Sequence, residues 1–152
     1  MEEKKLGIVF ASGAANRVCC VVVYAAAALS MGWRVTIHLV NEGLVAFRKD
    51  TANKVWSEKA MDYSIVIKEY EKNLGIFFNN AKEMLQQGKL QNWPEALADL
   101  KSTFGDKFHI YACPLAAATY GVKKEDLLDI VDDIKDANAF LEEVYGGVTM
   151  YI

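Results

Sequence analysis

Cysteine is scarce in this chain and poorly spaced for cross-linking. Three occur in 152 residues, with Cys19 and Cys20 adjacent and Cys113 far from both. That arrangement makes no disulfide framework, and it offers neither paired C-x-x-C units nor a Cys/His spacing for zinc. No metal is expected, and the reducing cytoplasm suits such a chain. An excess of positive charge is lacking as well. The formal net charge is -3 and the lysines are scattered rather than clustered, which argues against a nucleic-acid partner held through the phosphate backbone. The small-residue turn at Ser12-Gly13 lacks both the three spaced glycines of a dinucleotide site and the Lys-Ser/Thr pair of a phosphate loop, so no nucleotide cofactor is expected. There is also no membrane-length apolar run. Val18 to Met31 is apolar over 14 residues, short of the ~20 that a spanning helix needs. Asn16 and Arg17 separate it from an earlier strand-like segment and no convincing cleavage site follows, so it reads as a buried helix and not as a span or a signal peptide.

What is present is enough for one well-formed core. With 53% apolar and 24% charged residues, the chain is expected to form a single domain over residues 1–152. Leu6 to Phe10 is a continuous apolar run of the kind found in strands covered on both faces. A small polar turn, Ala11 to Asn16, leads into an alanine-rich helix from about Arg17 to Met31, which Gly32 terminates. Arg34 to Val40 is a β-branched second strand, broken at Asn41-Glu42-Gly43 before a short helix from about Leu44. Such an order forces a parallel sheet with right-handed crossovers. From about 50 to 91 the pattern is helix-rich and reads as an insertion. Trp56, Tyr63, Tyr70, Phe77 and Met84 recur every seven residues, and Ala60, Ile67, Leu74 and Ala81 fall four after the first four. The stripe can pack on its own domain or form an oligomer contact. Asn92 caps a helix carrying Pro94 and Glu95 and running to about Phe104, and Phe108 to Ala112 is a third strand. Lys123 to Leu128 suggests a short helix, Asp129 to Ile134 a short strand, about Ala137 to Tyr145 a helix and Val148 to Ile152 a final strand. The expected architecture is a three-layer α/β/α sandwich around a five-stranded, mainly parallel sheet.

Ligands of open α/β sheets sit beyond the carboxyl ends of the strands. Three such ends gather Ser12 and Gly13, Asn41 and Glu42, and Cys113 with Pro114. Cys113 is the candidate nucleophile. It falls at the end of a strand with Pro114 in the first helical position, where free backbone N–H groups favour a thiolate. The competing reading is a packed cap residue, because cysteine is among the most buried residue types. Cys19 lies a few residues past the Ser12 turn and is a further candidate for the cleft, although buried packing is the default for it and for Cys20. His109 and Tyr111 share the strand parity of Cys113, but four strand residues set His109 roughly 13 Å away. A structural role suits it better, as it does His38 within the second strand.

Most of the chain outside residues 50 to 90 resembles the DsrE/DsrF-like family of small sulfur-relay proteins. The features that carry the resemblance are LGIVFASGAANR, the Ala-rich helix, the strand ending at Asn41-Glu42-Gly43, the segment NWPEALADLKSTFGDKFHIYACPLAAATYGVKKEDLLD and the ending DANAFLEEVYGGVTMYI. The resemblance implies a flavodoxin-like sheet and a sulfurtransferase or sulfur carrier that holds sulfane sulfur as a persulfide on Cys113. It also implies sulfur donor and acceptor proteins or small sulfur species as partners, and homo-oligomers. The alternative is a non-catalytic module on the same fold that binds a small ligand or a partner, with Cys113 structural.

Overall fold

The computed structural model describes residues 2–56 and 71–152. Five parallel strands form one sheet: β1 (Lys5–Phe10), β2 (Arg34–Leu39), β3 (Phe108–Ala112), β4 (Asp133–Ile134) and β5 (Val148–Tyr151), in the order β4-β3-β2-β1-β5. Register runs Leu6 to Val35 and Val148, and Val35 to Phe108. The helices described are α1 (Ala15–Ser30), α2 (Asn41–Ala46), α3 (Glu71–Gln86), α4 (Trp93–Phe104), α5 (Pro114–Tyr120) and α6 (Ala137–Val144). The α/β sandwich expected from the alternation of elements is therefore present.

Strand parity sorts the sheet into two faces. Leu6, Ile8 and Phe10, with Val35, Ile37, Leu39, Phe108 and Ile110, point into the main core, where α1 contributes Val18, Val21, Ala25 and Leu29 and α4 contributes Trp93 and Leu97. The opposite face carries Gly7, Thr36, His38, His109 and Tyr111 and is covered by α6. The step from β4 to β5 runs back across the sheet, and right-handed crossover then puts α6 on that side, opposite α1 and α4.

Several local expectations need correction. The long apolar helix is buried along one side only, since Val23 (62% exposed), Tyr24 and Met31 face outward. It ends as a Schellman motif, with Trp33 N–H on Ala28 O and Gly32 N–H on Leu29 O, both at 2.9 Å. Asn41-Glu42-Gly43 is the first turn of α2 rather than a break before it. Gly43 and Leu44 both donate to Val40 O, at 3.0 and 3.3 Å, and Asn41 takes the left-handed φ of 47° that asparagine tolerates. Strand β4 keeps only two residues of the expected six, because Val131 turns into the core and only Asp133 and Ile134 pair with β3. Lys124–Asp126 is a 3-10 turn, not a longer helix. Of the heptad positions, Ala60, Tyr63, Ile67 and Tyr70 lie outside the described residues. Among the rest, Leu74 and Ala81 are buried, Phe77 and Trp56 pack against the core and Met84 is 41% exposed.

Candidate functional site

At the carboxyl edge of the sheet the connecting turns are tied to one another by backbone hydrogen bonds. Ala11 N–H donates to Ile152 O (2.7 Å), Val40 N–H to Phe10 O (3.0 Å), Gly43 N–H to Ala11 O (3.0 Å), Cys113 N–H to Leu39 O (2.9 Å) and Lys135 N–H to Ala112 O (3.0 Å). The turns that follow all five strands thus form one continuous rim. Gly13 sits where the turns after β1 and β2 meet. Its φ is +71°, and a Cβ placed there would lie 2.3 Å from Glu42 O, so only glycine lets the turns after β1 and β2 touch.

Cys113 occupies the position that strand length and proline dictate. Strand β3 ends at Ala112, Cys113 is the N-cap of α5 with extended φ/ψ (−66°, 125°), and Pro114 is the first helical residue. The Cys113 carbonyl accepts the Ala117 N–H at 2.9 Å, and its side chain makes no capping hydrogen bond. The N–H groups of Leu115 and Ala116 have no acceptor within the helix, as in any first turn. The thiol is half-buried, with one side against the hydrophobic core. Pro114 and Leu115 beside it are exposed, Leu115 at 72%.

The other anticipated residues are distributed unevenly. Gly13 and Glu42 meet through the main chain, with the Asn41 and Glu42 side chains exposed and Ser12 half-buried on the same rim. Cys19 faces elsewhere: it lines a recess with Val22, Trp56 and Trp93. Burial, and then the neighbouring Cys20, pushes its thiol up to about 11. Cys20 donates weakly to Asn16 O at 3.8 Å. Asn92 caps α4 by backbone only, its side-chain oxygen being taken by Trp56 Nε1 at 2.9 Å.

A second polar group, which the sequence reading missed, lies under α6. Glu143 accepts hydrogen bonds from Tyr111 Oη (2.5 Å), Thr36 Oγ1 (2.9 Å) and His109 Nδ1 (3.1 Å). Burial opposes ionisation of Glu143, but these three donors outweigh it and hold the carboxyl below its ordinary range. Burial raises Tyr111 well above the usual phenol value, and the Glu143 hydrogen bond and charge add to the rise. Lys135 Nζ stands 4.5 Å from the centre of the Tyr111 ring. His38, stacked on Phe140 with ring centres 5.2 Å apart, places Nε2 3.0 Å from Lys135 O and is held neutral by burial. The signal was present in β2, where polar Thr36 and His38 alternate with Val35, Ile37 and Leu39. Polar side chains on a strand of a covered sheet require partners, but their identity lay a hundred residues away.

Among the described residues no group of His, Cys, Asp and Glu could hold a metal ion, and no helix is long and apolar enough to cross a membrane. No curated protein matches the chain. Among solved structures it resembles a protein of unknown function, MTH1491 from Methanobacterium thermoautotrophicum, at 12% identity and a TM-score of 0.61, over 99% of this chain and 100% of the other. At that identity the likeness concerns the fold. The model of the DsrE/DsrF/DrsH-like family matches residues 2–150, nearly the whole of the sequence. The cysteine-bearing strand-to-helix turn and the parallel sheet around it are thus those of a chain that belongs to the DsrE/DsrF/DrsH-like family.

Proposed function

We propose that this protein is a sulfurtransferase or sulfur carrier that holds sulfane sulfur as a persulfide on Cys113. Family membership supports a sulfur-relay-related role in general. The observation that carries the finer reading is the half-buried Cys113 thiol at the N-cap of α5, on the rim where the strand ends meet. Loading needs no external oxidant. The Cys113 thiolate attacks a sulfur of a polysulfide, an Sγ–S bond forms, one S–S bond of the donor breaks, and the shortened polysulfide leaves with the electron pair. Delivery is the reverse: an acceptor thiolate takes the terminal sulfur, and Cys113 leaves as thiolate. N–H groups in the first turn of α5 would steady the anion in both states. Ser12, Gly13, Asn41, Glu42 and Pro114 would shape the approach to it. Donors and acceptors would be proteins or small sulfur species, in the cytoplasm, with the protein acting as a homo-oligomer.

One observation favours a second reading, a binding module in which Cys113 is only a packed cap: the thiol lies against the core. The two readings separate when wild type, Cys113→Ser and the Cys19→Ser/Cys20→Ser double variant are incubated with polysulfide and weighed by mass spectrometry. A mass gain of whole sulfur atoms in wild type and the double variant, absent in Cys113→Ser, is the expected result. Loading that survives in Cys113→Ser and disappears in the double variant would move the chemistry to α1, and no loading in any of the three would favour the binding module.

A further inference from the structure

Strand β5 is an edge of the sheet, and among the described residues it pairs with β1 alone. Ile152 N–H donates to Val9 O at 2.8 Å and Ile152 O accepts the Ala11 N–H at 2.7 Å. Successive residues of a strand turn their main-chain groups to opposite neighbours. Val148, Met150 and Ile152 therefore face β1, while the N–H and C=O of Thr149 and Tyr151 face outward. Open edges are ordinarily blunted by charge, proline or shortness. The other edge of this sheet is so treated, since β4 has two residues and one is Asp133. Val148–Tyr151 has neither charge nor proline. Its side chains are open as well: Tyr151 is 73% exposed and Tyr145, just ahead of the strand, 82%. Glu143 leans from α6 toward β2 and β3, so Leu141, about 160° round the helix from it, leans toward β5 and is also exposed. The two tyrosines leave roughly 300 Å² uncovered, more than a third of the about 800 Å² per partner that a stable contact buries. Leu141, Val148 and Thr149 extend that patch.

We propose that β5 pairs antiparallel with β5 of a second copy of this chain about a two-fold axis, joining the two sheets into one. Head-to-tail pairing with β4 would engage only two residues and bring Asp133 into the contact, so the self-complementary arrangement is the one that the edges allow. A register centred on Met150 leaves no outward group of the strand unpaired. Thr149 exchanges both its main-chain hydrogen bonds with the partner subunit's Tyr151, and Tyr151 does the same with the partner subunit's Thr149. On one face Met150 meets the partner subunit's Met150, and Val148 meets the partner subunit's Ile152. On the other, the Thr149 side chain lies beside the partner subunit's Tyr151, a favourable cross-strand pair. No charged residue of β5 faces its copy. The two Cys113 rims then open at opposite ends of the joined sheet, so each subunit's rim is complete in itself. The pairing gives the homo-oligomer of the preceding reading its contact surface and rests on that part of the reading alone.

The test uses the full chain. Sedimentation at micromolar concentrations gives the mass of a dimer or a multiple of it for wild type, and Tyr151→Lys raises the apparent dissociation constant at least tenfold with circular dichroism unchanged. A cross-link then reads the register. Residues opposed in a non-hydrogen-bonded antiparallel pair have Cα atoms about 4.5 Å apart, within disulfide range. With Cys19, Cys20 and Cys113 replaced by serine, Met150→Cys treated with diamide forms a covalent dimer, whereas Val148→Cys, set roughly 13 Å from its own copy, links at least tenfold more slowly. Absence of the Met150→Cys link, or equal linking of Val148→Cys, overturns the inference even if Tyr151→Lys fails to fold. An oligomer that persists without that link puts the contact on another surface and leaves the preceding reading standing. Wild type that stays monomeric overturns both the pairing and the homo-oligomer, and gives the edge to a strand from a different protein.

Discussion

Replacing Glu143 by alanine removes the acceptor on which Tyr111, Thr36 and His109 converge. A hydrogen bond to a charged group contributes about 1.5–3 kcal/mol. Three taken separately would give about 5–9 kcal/mol, but bonds that share one carboxylate are not additive. The Glu143 side chain is also 25% exposed, so water can replace part of what is lost. We therefore expect Glu143→Ala to destabilise the fold by about 2–4 kcal/mol, which for a chain of this size lowers Tm by about 4–16 °C. Urea unfolding followed by circular dichroism measures it as a lower midpoint at an unchanged slope. The pH profile supplies a second signature. Because the folded carboxyl titrates below its ordinary 4.5, its contribution is complete above that pH and fades as acid takes the protein through the lowered value. Tyr111 is raised above 10, so its contribution is complete below pH 10 and fades as alkali rises past it. Glu143→Ala should remove the carboxylate limb, make the alkaline one shallower while the burial of Tyr111 still drives it, and leave the acid loss that begins near 6.5, where His38 must stay neutral to remain buried. A loss under about 1 kcal/mol, or a coupling with Tyr111→Phe below about 0.5 kcal/mol in a double-mutant cycle, would refute the account of this network.

Two further outcomes follow from contact and burial. A Cβ at Gly7 would stand 2.8 Å from Val144 Cγ1 and 3.0 Å from Phe140 Cζ, so Gly7→Ala should push α6 off the sheet and cost about 1–3 kcal/mol. Equal stability of the variant in denaturant would show that α6 is not held that closely. Burial is the larger cause of the Cys19 pKa near 11 and survives the loss of Cys20, so in a Cys20→Ser/Cys113→Ser protein Cys19 should react with iodoacetamide at least about tenfold more slowly than free cysteine at pH 8. Alkylation at the rate of a free thiol would mean that the recess admits water and reagent.

The sequence disclosed elements whose cause is local. Phe108 to Cys113 was legible because an apolar strand running into proline leaves one place for the cap, and the helix ending at Gly32 was legible because glycine readily takes the positive φ that follows the last turn. The start of α2 was not, since Asn41 and Gly43 have the composition of a turn, while the Gly43 N–H is shared between the α2 N-cap carbonyl, Val40 O, and Ala11 O across the rim. Nor was the Glu143 group. Parity put His109 and Tyr111 on one face, but their acceptor arrives from a helix 32 to 34 residues further on. The recess beside Cys19 was hidden for the same reason, being assembled from α1, Trp56 and α4.

The pairing of β1 with β5 also sets a timetable. Leu6 through Val9 leave the ribosome well before their partners on one side, Val148 through Tyr151, which are about 140 residues later. At about 5–20 residues per second, synthesis takes roughly 7–30 s to deliver β5 after β1. During that interval β1 can pair with β2, but its other edge, an apolar strand with a row of unpaired amides, is open to any extended segment it meets. The Glu143 face is bare for nearly as long, because α6 emerges only just before β5. The nascent chain is therefore most prone to mispairing along β1, and a chaperone that shields that edge would act on the one strand whose final neighbour is made last.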